Sequence, residues 1–307
     1  MPEAHRYATL DVGSNSVLLH VAERRPDGSF TGLADRVELS RLGEGLKDTG
    51  RFSEPAMDRT LEAICRFKAL ADELGAEAVA AVGTMAMRNA ANARDFAEQV
   101  RSRCGVDIEV IPGEEEARLG YLAVRSGLPA ELLRLVVMDV GGGSTELIRG
   151  SGQAIEHRQS LNVGSLHMTE QHLVHDPVLP EELRALRQAL QQAFADLEAV
   201  DADTGLVGIG GTITNMCAVE LKMEVYDPER IQTSCLSREA VEAQLERYAA
   251  SSVAERRAIA GLQPKRADTI LAGAAIVAAV MDRLAFESLC VSDRGVRHGL
   301  LVDRFGA

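Results

Sequence analysis

The hexapeptide Asp-Val-Gly-x-x-Ser occurs twice in this chain, at residues 11–16 and 139–144. Each copy closes an apolar run, "ATLDV" and "LVVMDV", and each leads into a second alternating stretch, "VLLHVAE" and "TELIRG". Apolar alternation on both sides of a short glycine turn is the pattern of two paired strands. Asp11 and Asp139 stand 128 residues apart in a chain of 307. That spacing points to an internal duplication with one strand-turn-strand at the head of each half. Three consecutive glycines, Gly141, Gly142 and Gly143, are costly in backbone entropy, so something must approach the second turn too closely for side chains.

The remaining elements fall into the same order twice. Residues 6–24 and 29–40 read as three strands. A helix follows over 53–74, with Ser53 as N-cap, Pro55 in the first turn and Gly75 closing it. Strand 76–82, a helix from Thr84, strand 106–111 and helix 114–126 complete the first half. The second half restarts with strand 133–140 and strands 144–149 and 154–161. Helices from about 165 to 199, strand 205–210, helix 212–221, further helices to 285, strand 287–292 and a last helix from Arg294 complete it. The expected fold is α/β: two mixed sheets flanked by helices, as domains 1–127 and 128–307 meeting near Gly127–Leu133, with a ligand cleft between them.

Composition narrows the function. A net charge of −13 argues against a nucleic-acid-coating surface. An anionic substrate is still compatible, because turn amides, metal ions and a few arginines bind phosphate locally. The five cysteines (Cys65, Cys104, Cys217, Cys235, Cys290) are odd in number and form no C-x-x-C pair. They are expected to be reduced thiols of a cytoplasmic protein. The N-terminus carries no apolar signal core, and the most apolar run, Ile270 to Met281, is too short to span a bilayer. A soluble protein without a membrane or nucleic-acid partner is expected.

The glycine turns are not the common phosphate loops. No Gly-Lys-Ser/Thr occurs, and both turns lead into strands rather than helices. No G-x-S-x-G surrounds any serine, which argues against a serine hydrolase. Phosphate would instead meet turn amides at Gly13 and Gly141–Gly143, with the hydroxyls or amides of Ser14, Asn15, Ser144 and Thr145. An aspartate ending an apolar strand is expensive to bury unless it holds a cation or a hydrogen bond. Asp11, Asp139 and Glu146 are the carboxylates nearest the turns, and such hard oxygen donors suit Mg²⁺ or Mn²⁺. "PGEEEAR" adds three candidate bases, Glu114, Glu115 and Glu116. The spacing of His167, His172 and His175 hints at zinc, but on a helix His167 and His172 point well apart, so solvent-facing side chains are expected.

Paired strand-turn-strand loops in duplicated halves resemble the actin, sugar kinase and heat-shock ATPase superfamily. Within it, "LDVGSNS", "GTMAMRNA", "GEEEARLGYLAV", "MDVGGGSTE", "GIGGTITN", "KRADTILAG" and "SDRGVRHGLL" resemble the exopolyphosphatase/guanosine pentaphosphate phosphohydrolase (Ppx/GppA) family over essentially the whole chain. The resemblance implies duplicated actin-like (ribonuclease H-like) domains. It also implies metal-dependent removal of the terminal phosphate of inorganic polyphosphate. The alternatives are 5′-phosphohydrolysis of guanosine pentaphosphate, a small-molecule kinase, or an idle sensor of polyphosphate or guanosine tetraphosphate-type alarmones. It assigns Asp139 and Glu146 to the metal with Asp11 close by, favours Glu116 as the base, and gives Arg88 to substrate phosphate. Arg266 is a weaker candidate of the same kind. The third turn, with Gly210, Gly211 and Thr212, is a further candidate for binding phosphate and falls where superfamily kinases hold adenosine. Longer members continue into further helical domains, so any tunnel or dimer contact built from those is expected to be absent or made differently; a homodimer remains compatible with the sequence.

Overall fold

The computed structural model describes residues 5–128 and 133–306. Residues 1–4, part of the stretch read as lacking a signal core, and 129–132, at the expected boundary, lie outside them. The chain divides into two compact units. One runs to Ser126 and resumes at Val296; the other is Gly127–Gly295. The expected second domain, 128–307, therefore yields its last helix to the first.

The first unit contains β1 (His5–Val12), β2 (Val17–Arg24), β3 (Phe30–Glu38), β4 (Ala78–Gly83) and β5 (Ile108–Val110). Its helices are α1 (Leu46–Thr49), α2 (Glu54–Glu73), α3 (Met85–Asn89), α4 (Ala93–Cys104) and α5 (Gly113–Arg125). Helix α2 starts as its sequence dictates: the Ser53 hydroxyl accepts the Ala56 N–H, Pro55 sits in the first turn, and Gly75 follows at φ +74°. The helix expected from Thr84 is broken into α3 and α4. The sheet order is β3-β2-β1-β4-β5, antiparallel through β1 and parallel beyond it. Alternation on β1 sends Ala8, Leu10 and Val12 into a core shared with residues of α2 and α4, such as Ile64 and Phe96.

The second unit contains β6 (Arg134–Val140), β7 (Thr145–Ser151), β8 (Ala154–Leu161), β9 (Gly205–Ile209), β10 (Cys235–Ser237) and β11 (Ser288–Val291). Strand β10 is absent from the sequence reading, which took that region as helical. The helices are α6 (Ser165–His172), α7 (Pro180–Ala193), α8 (Gly210–Glu220) and α9 (Pro228–Ile231). They continue with α10 (Arg238–Ala249), α11 (Val253–Arg256) and α12 (Ile270–Arg283). The order β10-β11-β9-β6-β7-β8 repeats the first sheet with one strand added, and its core joins Met138, Val140, Ile213 and the apolar face of α12. None of the described helices is long and apolar enough to cross a membrane.

The last helix, α13 (Val296–Phe305), belongs to the first unit. It lies on the sheet face opposite that core: Phe305 stacks on Tyr7 with ring centroids 4.3 Å apart, and Val296 and Leu300 pack with Leu119 of α5. A Cβ on Gly299 would stand 1.9 Å from the Leu119 carbonyl oxygen, so glycine is what lets α13 reach α5. The expectation of five reduced thiols is corrected for two of them. Cys65 on α2 and Cys104 at the end of α4 are joined as a disulfide, with Cα atoms 5.1 Å apart, while Cys217, Cys235 and Cys290 are free.

Candidate active site

The second-unit turn is built on a short, fixed register. Asp139 opposes Glu146 and Val140 opposes Thr145 across β6 and β7, and the Gly141 N–H donates to the Ser144 carbonyl at 2.9 Å. The turn carbonyls are anchored from behind by the start of α6. Gly141 O accepts from Ser165 N (2.9 Å), and Gly142 O accepts from Leu166 N (2.9 Å) and His167 N (3.0 Å). A trans peptide sets each N–H opposite its carbonyl, so the Gly142 and Gly143 amides point away from α6, as an anion-binding nest requires. Tight contact against this turn explains the glycine at residue 164. A Cβ on Gly164 would lie 2.4 Å from backbone atoms of Gly143. Thr145, expected to face phosphate, instead donates its hydroxyl to the Val163 carbonyl at 2.5 Å and braces the turn.

Of the two candidate metal carboxylates in this unit, one meets the third turn. Glu146 is 1% exposed and accepts the Ser160 hydroxyl at 2.6 Å. Asp139 lies over the start of α8: Gly210 has φ +86°, and a Cβ there would stand 2.4 Å from Asp139 Oδ1. A helix N-terminus favours that anion. On Gly211 a Cβ would fall 2.1 Å from Arg266 Nη2, so the guanidinium rests on bare backbone. Arg266 is buried, which pulls its pKa down to about 10, and its Nε reaches only Gln263 Oε1 at 3.4 Å. Among the described residues no carboxylate lies at salt-bridge distance from it. A buried cation so placed invites an anion. Thr212 packs its methyl against Gly273 of α12 and so holds α8 in place.

The first unit repeats the turn without the carboxylate pair. The Gly13 N–H donates to the Ser16 carbonyl at 2.9 Å, the counterpart of Gly141 and Ser144. The Ser14 and Asn15 carbonyls accept from Gly43 N (2.8 Å) and Arg41 N (3.0 Å), which turns the Asn15 and Ser16 amides the other way. Asp11 is buried, but its cross-strand partner is Leu18, where the second unit has Glu146. The duplication is therefore broken at the residue that completes a two-carboxylate set. Asp139 and Glu146 are brought together by their register; Asp11 belongs to the other sheet.

Helix α3 starts against this first turn, with Thr84 N donating to Val12 O at 3.2 Å and Ser14 Oγ contacting Met85 Sδ at 3.8 Å. From α3, Arg88 Nη1 donates to Glu116 Oε2 at 2.8 Å and to the Ile111 carbonyl at 2.9 Å. Glu116 is 8% exposed; burial pushes its pKa up, and the Arg88 cation pulls it partly back. Arg88 thus holds the candidate base, an arrangement the sequence reading, which gave Arg88 to substrate phosphate, did not foresee. Glu115 is not a solvated charge. Its carboxylate takes both nitrogens of an Arg118 fork at 2.9 and 2.7 Å, and Arg118 also reaches Asp303 of α13 at 2.6 Å. Glu114 is exposed. His167 and His172 are half-buried rather than solvent-facing, and His175 pairs with Glu182 at 2.9 Å.

The sequence pattern of the Ppx/GppA phosphatase family matches residues 21–306. The chain belongs to that family. Exopolyphosphatase 2 of Mycobacterium tuberculosis is 30% identical, over 98% of this chain and 99% of that relative. The guanosine-5′-triphosphate,3′-diphosphate pyrophosphatase of Photobacterium profundum is 32% identical over 98% of this chain. This chain spans 60% of that relative, and 46% of a bifunctional 3-dehydroquinate synthase/phosphatase of Fusobacterium nucleatum. The crystal structure of the Aquifex aeolicus member of the Ppx/GppA family superposes with a TM-score of 0.83 at 34% identity, covering 98% of this chain and 97% of that one. The two mixed sheets flanked by helices are the actin-like two-domain fold of Ppx/GppA structures.

Proposed function

We propose that this Ppx/GppA phosphatase is an exopolyphosphatase that removes terminal orthophosphate from inorganic polyphosphate by direct attack of water. The observation that carries this reading is the buried Glu116 carboxylate, held by Arg88 on a helix that starts against a glycine turn. A carboxyl raised by burial is suited to accept a proton from water near neutral pH. Arg88 keeps one nitrogen on Glu116 and has further N–H groups for a phosphate oxygen. In the second unit, the Gly142 and Gly143 amides and the Arg266 guanidinium would neutralise phosphate oxygens. Asp139 and Glu146, opposed in register, form a hard oxygen donor set of the kind that fits Mg²⁺ or Mn²⁺. Such an ion would supply charge neutralisation to the developing phosphate transition state.

Polyphosphate is favoured over guanosine pentaphosphate because the exopolyphosphatase relative is matched from end to end and the guanosine-specific one over 60% of its length. A cytoplasmic location is part of this reading. The Cys65–Cys104 disulfide runs against that placement, since a reducing compartment seldom keeps such a bond. The test is phosphate release from polyphosphate and guanosine pentaphosphate side by side, with ATP as control, before and after EDTA. We expect polyphosphate to be the best substrate, with activity lost on chelation and restored by Mg²⁺ or Mn²⁺. Hydrolysis confined to guanosine pentaphosphate would replace the substrate assignment, and full activity after exhaustive chelation would remove the metal.

A further inference from the structure

Strand register in the first unit sets Thr9, His20 and Asp35 in one row across β1, β2 and β3. Helix α13 crosses that row at its first turn, where the Thr9 hydroxyl donates to the Arg297 carbonyl at 2.8 Å. Two imidazoles therefore converge on one carboxylate oxygen. His20 Nδ1 lies 3.0 Å and His298 Nε2 lies 3.1 Å from Asp35 Oδ2, and the two rings stand 4.3 Å apart between centroids. These three atoms all lie within 4.8 Å of one another, the one such cluster of metal-type ligands among the described residues.

We propose that His20 Nδ1, Asp35 Oδ2 and His298 Nε2 bind a transition-metal ion of the zinc class, which ties α13 to β2 and β3. The donor set is the wrong one for Mg²⁺, which prefers oxygen throughout, and a suitable one for Zn²⁺ or its analogue Co²⁺. A tetrahedral zinc with bonds of about 2.0–2.1 Å keeps its ligand atoms roughly 3.3 Å apart, so each imidazole nitrogen would have to move a few tenths of an ångström away from Asp35 Oδ2 to admit the ion. Ligand carboxylates in metal sites are themselves hydrogen-bonded, which fixes the oxygen that faces the metal. Arg297 does this here, its Nε holding the other oxygen, Asp35 Oδ1, at 2.8 Å. Gly32 lies against the His20 ring, where even a Cβ would come within 3.3 Å of Cε1, so the imidazole has a fitted place. The entry route is at Asp35, whose side chain is 34% exposed beside two imidazoles at 10% and 13%. Three protein ligands with one side open leave the fourth position to water or a small anion. The nearby Arg297 cation sets an upper limit on affinity, because the bound ion adds a second positive charge.

The full chain, stripped of metal and held in excess Mg²⁺, is titrated with Zn²⁺ by calorimetry and with Co²⁺ by visible absorption. We expect one equivalent of Zn²⁺ bound at this site, Co²⁺ d–d bands of low-symmetry nitrogen and oxygen ligation, and a higher melting temperature with the ion. His298→Gln and His20→Gln should each weaken that binding at least tenfold. Cys235→Ser, which opens the exposed thiol pair, and Glu146→Gln, in the second unit, should leave it within about threefold. Wild-type protein giving neither heat nor Co²⁺ bands would overturn the site whether or not the variants fold. So would binding that survives His298→Gln or is lost in Cys235→Ser.

Discussion

At the scale of single residues, the Arg88–Glu116 pair yields the most separable predictions. A positioned carboxylate that accepts a proton from attacking water contributes about 10²–10⁴-fold, so Glu116→Gln should lower kcat by roughly that factor with substrate binding retained. Near-normal kcat would remove Glu116 as the base. Glu116 works only when ionised, and burial raises its pKa; the acid limb of the pH–rate profile should therefore lie above the ordinary carboxylate range. Arg88→Ala removes the one influence that lowers that pKa and should move the limb to still higher pH, while raising KM for polyphosphate. A limb that stays in place would mean Arg88 contacts substrate alone. Glu115→Gln should change kcat by less than about threefold yet lower the melting temperature, because its partner Arg118 bridges α5 to α13. Sequence picked out the Glu triplet, and only family resemblance chose among its members. The structure distinguishes them physically, as exposed, fork-paired and buried, a difference of tertiary environment that spacing alone does not encode.

At the scale of elements, the turns were legible because glycine and strand alternation are local signals. What stands behind each turn was not. The stretch 141–143 reads as a loop awaiting a ligand, yet its backbone is also packed from behind by the chain itself, so closely that residue 164 must be glycine. Gly164→Ala should push the turn out of register with α6 and lower kcat/KM at least tenfold, although residue 164 is not among the proposed phosphate ligands. Unchanged kinetics in a folded variant would show that the turn tolerates displacement. The same reasoning explains the missed disulfide: Cys65 and Cys104 are separated by 39 positions and meet only because α2 and α4 share a core. No motif marks a pairing made by two amphipathic helices. His20 and His298 were overlooked for a similar reason, since only the pairing of β2 with β3 and the docking of α13 bring them to Asp35.

At the scale of the whole molecule, the duplication was readable from two hexapeptides, and the sheet orders repeat it strand for strand apart from β10. The destination of the last helix was not readable, since an amphipathic stretch does not name the sheet it will cover. Gly299→Val would set a branched side chain against the Leu119 carbonyl. Overpacking of this kind costs about 1–3 kcal/mol, so the melting temperature should fall by roughly 2–10 °C. Hydrogen exchange should quicken in α5, α13 and β1 and be unaltered in β6–β9; uniform acceleration in both units would contradict the division of the chain.

The return of α13 also bears on how the protein is made. A ribosome delivers the first sheet early, but the helix that covers Tyr7 and Thr9 comes only after all of Gly127–Gly295 has been synthesised. At about 5–20 residues per second, that face of the nascent sheet waits on the order of ten seconds or more. The usual order of birth is thereby inverted: the unit that begins first is finished last, and the inserted unit is free to fold before its host. During that interval the exposed strands are a natural hold for chaperones, and a stall late in translation would strand the first unit, not the second.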